Sequence, residues 1–416
     1  MGGDISRADI AQEIPRSSVS ASLPLLLEAT PGARKRLHVL TLTPFYPFAG
    51  DDAQGCFVAE PLSALEELGI SNSVLAVRPF YRGRARPCKS APAAYSKGYF
   101  SLPGTIGLPV SGASLFAGIL HEVRRLHKRN PVHLIHAHSP LPCGHAAALL
   151  NRHLGIPFVV SVHGLDAFFT NQVGGYAGKW CKRISQQVYR SARAVVCISE
   201  RVRDEVTKNI DGPLSTTVVY NAANPDRFYP ELSSSPPNVV LSVGNLIPIK
   251  GHELLLRAFA AIELCHPTTR CEIIGDGPER SRLSALSSRL GIAKKVNFLG
   301  RQGRTQVADA MRRCVVFALP SHYEGLGCVY LEAMSAGKPV IACRGQGIQE
   351  VIQHGINGFL IDPDDVHALT ETLSVLLANP QLRKDIGRNA RLTILRSFTL
   401  AHQAERLAQV YRGCLA

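Results

Sequence analysis

The sequence predicts two doubly wound α/β halves, each a parallel sheet wrapped by helices. Three observations predict this. Short apolar runs alternate with amphipathic stretches of helical period along nearly the whole chain, as strand–helix–strand units require. The length of 416 residues suits two domains. A stretch rich in Pro, Ser and Asn, NAANPDRFYPELSSSPP (221–237), divides the alternation into two series.

Residues 1–35 carry Ser, Ala and Pro without period and are expected to form a flexible leader. Their Met-Gly opening matches a myristoylation pattern loosely, as chance allows. The N-terminal domain is expected over 36–222. Its strands fall at 37–42, 73–77, 132–137, 158–162, 194–198 and 217–220, and its helices at 57–68, 113–128, 144–154, 177–191 and 201–208. Residues 81–112 form a long basic insertion rich in Pro and Gly, either a functional loop or a disordered one. The linker covers 223–237.

The C-terminal domain, 238–396, repeats the alternation. Strands fall at 239–243, 270–274, 296–299, 315–318, 340–342 and 359–361. Helices fall at 252–263, 279–290, 305–313, 326–335, 348–353 and 366–378. The segment from Gln381 onward reads as helical throughout. Its last part, about 397–416, is long enough to cross back onto the first domain. Two such sheets leave a cleft between the carboxyl ends of their strands.

The composition is that of a globular protein with ample core: 45% hydrophobic and 19% charged. No apolar run reaches the length of a membrane span, and no secretory signal is evident. Eleven cysteines without a CxxC pair argue for free thiols in a reducing compartment, hence the cytoplasm, and against a zinc site. Cys197, Cys271, Cys314 and Cys343 lie in apolar runs and read as core.

The net charge of +14 is uneven. Residues 31–220 hold 22 Lys and Arg against 11 Asp and Glu, whereas 221–416 hold 22 against 17. Arg82, Arg84, Arg86 and Lys89, and Arg124, Arg125, Lys128 and Arg129, carry much of the excess. They are either solvated faces or a surface drawn to anionic lipid or an acidic acceptor, which allows peripheral attachment at the inner face of a membrane. Nucleic acid fits less well, because aromatics do not interleave with the charges.

Candidate chemistry gathers at strand ends. In the stretch from 318 to 361, Glu324 and Glu332 bracket a helix start at E-x7-E spacing, with Gly325, Leu326 and Gly327 between them. A helix start offers free N–H groups to an anionic or hydroxyl-rich ligand, and the glycines let it approach the backbone. A carboxylate can accept from two neighbouring sugar hydroxyls. Lys250 lies at a strand-to-helix turn, where it either neutralises a leaving diphosphate or rests on the surface. Gly277, in Gly275-Asp276-Gly277-Pro278, serves either a nucleotide contact or a tight turn capped by Asp276. His163 follows a strand directly, and His136 and His138 end the preceding one. One such His is usually structural, but two at adjacent strand ends favour a site, with His163 preferred over His138. Gly50 and Gly55, in the loop 44–55, either admit a diphosphate or acceptor or make a simple turn. Asp362-Pro363-Asp364 spells D-x-D but reads as a loop.

In this order the residues resemble the retaining family-4 glycosyltransferases of GT-B architecture, from about residue 36 onward. The resemblance rests on the Gly-bearing first loop and on Val162-His163-Gly164-x-Asp166. It continues through Asn221 with Asp226-Arg227-Phe228-x-Pro230, then Val243-Gly244 with Lys250-Gly251, then Gly275 to Pro278. It ends with Glu324 to Glu332, Glu350 and Asn357-Gly358. It implies a GT-B fold, a nucleotide diphosphate sugar as donor, an unknown glycan, lipid-linked or small acceptor, and no cofactor or metal. Glu324 would contact the donor sugar, Glu332 the ribose and Lys250 the diphosphate, with His163 beside the reacting centre. Asn245 stands where the family has Arg, a loss expected to cost on the order of 10²-fold or more unless Arg301 or Arg344 compensates. Asn221-Ala222-Ala223-Asn224 and Gly345-Gln346-Gly347 also depart from the pattern. The alternatives are a nucleotide-sugar epimerase and a non-catalytic binding protein on the same fold. A Rossmann oxidoreductase is disfavoured, since no strand leads into G-x-G-x-x-G.

Overall fold

Every strand pairing within the two sheets is parallel. The computed structural model describes residues 36–83, 86, 88, 92, 94–103, 107–168, 173–231 and 238–416. The expected leader 1–35, Arg84, Lys89 and residues 232–237 of the expected linker lie outside the described residues.

The first sheet holds β1 (Leu37–Thr43), β2 (Ile70–Pro79), β3 (Ala94–Tyr99), β4 (Leu134–His138), β5 (Phe158–Val162), β6 (Ala194–Cys197) and β7 (Thr216–Val218), in the order β3-β2-β1-β4-β5-β6-β7. The second holds β8 (Val239–Val243), β9 (Arg270–Ile274), β10 (Val296–Gly300), β11 (Val316–Ala318), β12 (Val340–Cys343) and β13 (Phe359–Ile361), in the order β10-β9-β8-β11-β12-β13. In both, the order reverses beside the first strand of the half, β1 or β8, where α/β sheets open a crevice at the strands' carboxyl ends. The central strands β4, β5 and β8 are buried at every position, which explains their unbroken apolar character.

Several expectations need correction. The helix expected at 57–68 is two helices, Cys56–Ala59 and Pro61–Glu67, because Pro61 offers no N–H and starts a new first turn. The insertion 81–112 is not all loop: it contributes β3, paired with β2, and the start of the helix Leu108–Arg129. Residues 348–353 make only a short 3-10 turn, Gly347–Glu350. The chain after Gln381 is not continuously helical. Helix Pro380–Ser397 ends and Leu400–Gly413 begins, and between them the Phe398 carbonyl accepts the Ala223 N–H at 3.0 Å.

That last helix does cross back. Ala404, Leu407, Ala408 and Tyr411 pack with Val39, Leu62, Leu65 and Val159 of the first half. Each large apolar side chain so buried contributes about 1.5–3 kcal/mol. A separate apolar cluster runs from β1, β4 and β5 through Ile198 and Phe228 to Leu326 and Tyr330, so the two sheets share a packed seam. Cys197, Cys271, Cys314 and Cys343 are core residues as expected.

Candidate functional site

The site forms where strand ends of both halves meet. β8 runs into Gly244 and Asn245, and a short turn then delivers Lys250. β11 runs into Leu319-Pro320-Ser321 and on to Glu324. Lys250 Nζ lies 2.5 Å from Glu324 Oε1, and both side chains are largely buried. Ser321 Oγ stands 3.4 Å from the same oxygen, and the Glu324 N–H donates to Gln346 Oε1 at 3.0 Å. Two side chains therefore hold one oxygen of the carboxylate, and Gln346 fixes the backbone that carries it.

The helix expected at 326–335 begins two residues later, at Cys328, with Gly327 at its N-cap in the left-handed region (φ 82°). Leu326 is fully buried, so only its backbone can face a ligand. Gly325 lies directly against the first half. A Cβ there would sit 2.6 Å from the His163 carbonyl oxygen and 3.1 Å from Ile198 Cδ1, and Ser199 Oγ donates to the Gly325 carbonyl at 2.6 Å. Gly325→Ala is expected to cost about 1–3 kcal/mol by overpacking this seam. A urea midpoint and a scattering radius both equal to wild type would show the contact to be unimportant.

His163 faces Gly325 from the end of β5. Its Nε2 lies 3.1 Å from His138 Nδ1, the rings stack at 5.3 Å, and its backbone N–H donates to Asp166 Oδ1 at 2.8 Å. Phe45, in the loop 44–55, and Phe57, just after it, close around the ring at 5.6 and 4.8 Å. Burial pushes the His163 imidazole down to about 3, so it is neutral, and its Nδ1 has no partner among the described residues. His136 is structural. It bonds Tyr411 of the returning helix at 2.6 Å and Ser161 at 2.7 Å. Burial raises the Asp166 carboxyl to about 6, against the hydrogen bond from the His163 N–H.

Gly55 and Gly277 are used by the loops themselves. A Cβ on Gly55 would meet the Phe45–Tyr46 peptide at 2.3 Å, and one on Gly277 the Leu246 carbonyl oxygen at 2.5 Å. Asp276 accepts the Gly277 N–H at 2.8 Å, as the turn reading requires. Asn245 is exposed. The expected compensating cations are engaged elsewhere: Arg301 with Asp51 at 2.6 Å and Arg344 with Asp362 at 3.3 Å.

Glu332 has a partner that the sequence did not disclose. Arg304 Nη1 donates to Glu332 Oε1 at 2.5 Å, while its Nη2 and Nε donate to Glu60 Oε1 of the first half at 2.9 and 3.2 Å. The Arg304 backbone N–H donates to Asp52 Oδ1 at 2.9 Å, and its guanidinium lies 4.8 Å over the Phe228 ring. Burial works against the Arg304 cation, but Glu332 and Glu60 outweigh it and hold the guanidinium above its ordinary value. Across the other rim of the cleft, Glu350 accepts the N–H groups of Glu200 and Arg201 at 2.8 and 2.9 Å, capping the helix Glu200–Thr207.

Residues 226–393 match the family description "glycosyl transferases group 1", and residues 57–227 match "glycosyltransferase family 4". An uncharacterized glycosyltransferase of Methanocaldococcus jannaschii is 31% identical over 262 residues, 62% of this chain and 70% of that protein. The chain belongs to the family-4 glycosyltransferases. This glycosyltransferase is also 28% identical over 345 residues to the alpha-D-kanosaminyltransferase of Streptomyces kanamyceticus, covering 76% of this chain and 85% of the relative. Its fold is that of GT-B structures. Sucrose-phosphate synthase of Thermosynechococcus elongatus superposes with a TM-score of 0.72 at 21% identity, covering 91% of this chain and 99% of that one. Anabaena HepE, solved with UDP and glucose, superposes with a TM-score of 0.70 at 21% identity, covering 90% and 99%. Among the described residues of this glycosyltransferase, no helix is long and apolar enough to cross a membrane.

Proposed function

We propose that this glycosyltransferase moves a sugar from a nucleoside diphosphate sugar to an acceptor hydroxyl with retention of anomeric configuration, in polysaccharide, glycolipid or other glycoconjugate synthesis. The observation that carries the reading is the Lys250–Glu324 pair, set at strand ends opposite a neutral His163. The binding of UDP and glucose by HepE and the kanosaminyl transfer named for the Streptomyces relative are consistent with it.

In this reading the acceptor oxygen attacks the anomeric carbon on the face that the diphosphate leaves. The bond from that carbon to the phosphate oxygen breaks, and the acceptor proton passes to the departing phosphate. Lys250 exchanges Glu324 for the diphosphate and neutralises its growing charge. Glu324 is thereby freed to accept from sugar hydroxyls. His163 holds the reacting sugar through a hydrogen bond, and Glu332 accepts from the ribose. The reading assigns no metal or cofactor. The basic excess of residues 31–220 supports attachment to an anionic membrane surface from the cytoplasmic side.

Melting the protein with UDP, GDP, ADP and dTDP and their glucose conjugates tests the donor. At least one is expected to raise the melting temperature by several degrees, as ligand linkage at 100-fold excess over Kd requires, about 2.7 kcal/mol. No shift with any of them rejects the reading. Asn245, exposed and uncharged, favours a second reading, a binding protein without turnover. A shift with no diphosphate release, with or without acceptors, would select it. Release of an epimerised sugar without acceptor would instead point to an epimerase.

A further inference from the structure

We propose that Arg304 is a positioning residue for the donor: it takes one oxygen of Glu332 and so aims the other at the ribose. The inference rests on the donor reading above.

Glu332 is 2% exposed, and its two oxygens are unlike. Oε1 receives Arg304 Nη1 at 2.5 Å, whereas Oε2 is buried with no hydrogen-bond partner among the described residues. An ionised oxygen left so is costly. A ligand hydroxyl donating to Oε2 relieves that cost, and a vicinal diol offers one directly. No Arg304 N–H reaches that oxygen, because the guanidinium is turned toward Oε1 and the first half. Nη2 and Nε go to Glu60, the backbone N–H goes to Asp52, and Phe228 covers the guanidinium face.

Glu60 lies at the junction of the helices Cys56–Ala59 and Pro61–Glu67, in the first half, and also accepts Arg227 Nη1 at 3.1 Å. The carboxylate expected to read the donor in the second half is therefore oriented from the first. Burial raises the Glu332 carboxyl, and the Arg304 charge opposes that shift. The guanidinium thus favours the accepting, ionised form of Glu332 against burial as well as fixing its direction.

The arrangement makes an unusual prediction for E332Q. A guanidinium accepts nothing, so Arg304 must draw the amide oxygen to itself and turn the NH2 toward the ligand. The E332Q variant would then present a neutral donor where wild type presents a charged acceptor, so the ribose hydroxyl exchanges a charge-assisted bond for a weaker neutral one.

The test titrates the full chain with UDP and with 2′,3′-dideoxy-UDP, using whichever base the melting panel selects in place of uracil. Wild type is expected to prefer the ribonucleotide at least about 10-fold, as a site built to pair a hydroxyl does. In E332Q the preference is expected to fall below about 3-fold, and in R304M likewise, with UDP still bound through its diphosphate. Failure of every nucleotide to bind wild type would defeat the donor reading and the proposal with it, whereas binding without a ribose preference in wild type would defeat the proposal alone. Nucleotide binding with the full ribose preference kept in E332Q overturns the positioning role. E332Q is isosteric and serves even where R304M does not fold.

Discussion

Lys250→Met is expected to lower turnover, measured as nucleoside diphosphate released, by at least about 10²-fold. The reasons are two. The substitution removes the cation that meets the diphosphate as charge develops on it, a contribution of about 10²–10³ in comparable sites. Asn245 supplies no charge, and Arg301 and Arg344 pair with Asp51 and Asp362 rather than with Glu324. The substitution also strands Glu324, 8% exposed, with Ser321 at 3.4 Å as its remaining side-chain partner on that oxygen. Breaking a fully buried pair costs about 3–5 kcal/mol. Partial exposure of Lys250 reduces this to about 2 kcal/mol, read as a lower urea midpoint.

Glu324→Ala separates the two roles. It removes the sugar contact and frees Lys250, so turnover should vanish while affinity for the bare nucleoside diphosphate stays equal or rises. Turnover kept by either variant would remove the pair from the mechanism. Equal loss of diphosphate affinity in both would mean that the pair acts only as a structural clamp.

Much of this site was legible because strand ends are legible. β8, β9 and β13 begin and end where the apolar runs do, so the turns after β8 and β11 that carry Lys250 and Glu324 could be placed beforehand. β3 was hidden for a physical reason. It is an edge strand of Ala, Tyr, Ser, Lys and Gly, with Tyr95 and Ser96 exposed, and so lacks the apolar run that marked its neighbours. The Arg304–Glu60 contact was invisible for another. Its partners are 244 residues apart, and no local pattern marks an arginine at a helix start as destined for burial. The E-x7-E spacing located Glu332, but what its carboxylate faces is a property of the closed cleft. Phe45 and Phe57 carried a signal that was available, two aromatics in and just after the Gly-rich loop that follows the first strand, and went unused.

Acidification from pH 7 to pH 5 is expected to cost the fold about 4 kcal/mol. His136, His163 and His252 are held neutral by burial, with values lowered to about 3, 3 and 4. In the unfolded chain each titrates near 6.5. As pH falls below that value, the unfolded state binds protons that the folded state refuses, so stability is lost. Over these two units the loss is about 1.9 kcal/mol for each histidine. His138, lowered by burial as well, adds to it in the same direction. Asp166 works the other way. Its folded value of about 6 exceeds the unfolded one, so the folded state gains a proton first and recovers about 1.4 kcal/mol. A net loss of about 4 kcal/mol is a large share of a typical stability of 5–15 kcal/mol. Urea midpoints at the two pH values measure it directly, and equal midpoints would mean that these imidazoles already exchange protons in the folded state. His252→Gln supplies an internal check. It keeps a polar group beside Ser242, whose Oγ lies 3.4 Å from His252 Nδ1, but removes one titration. The acid penalty should then shrink by about 1.9 kcal/mol. Turnover, whose buried His163 stays neutral throughout this range, should show no histidine inflection between pH 5 and pH 8.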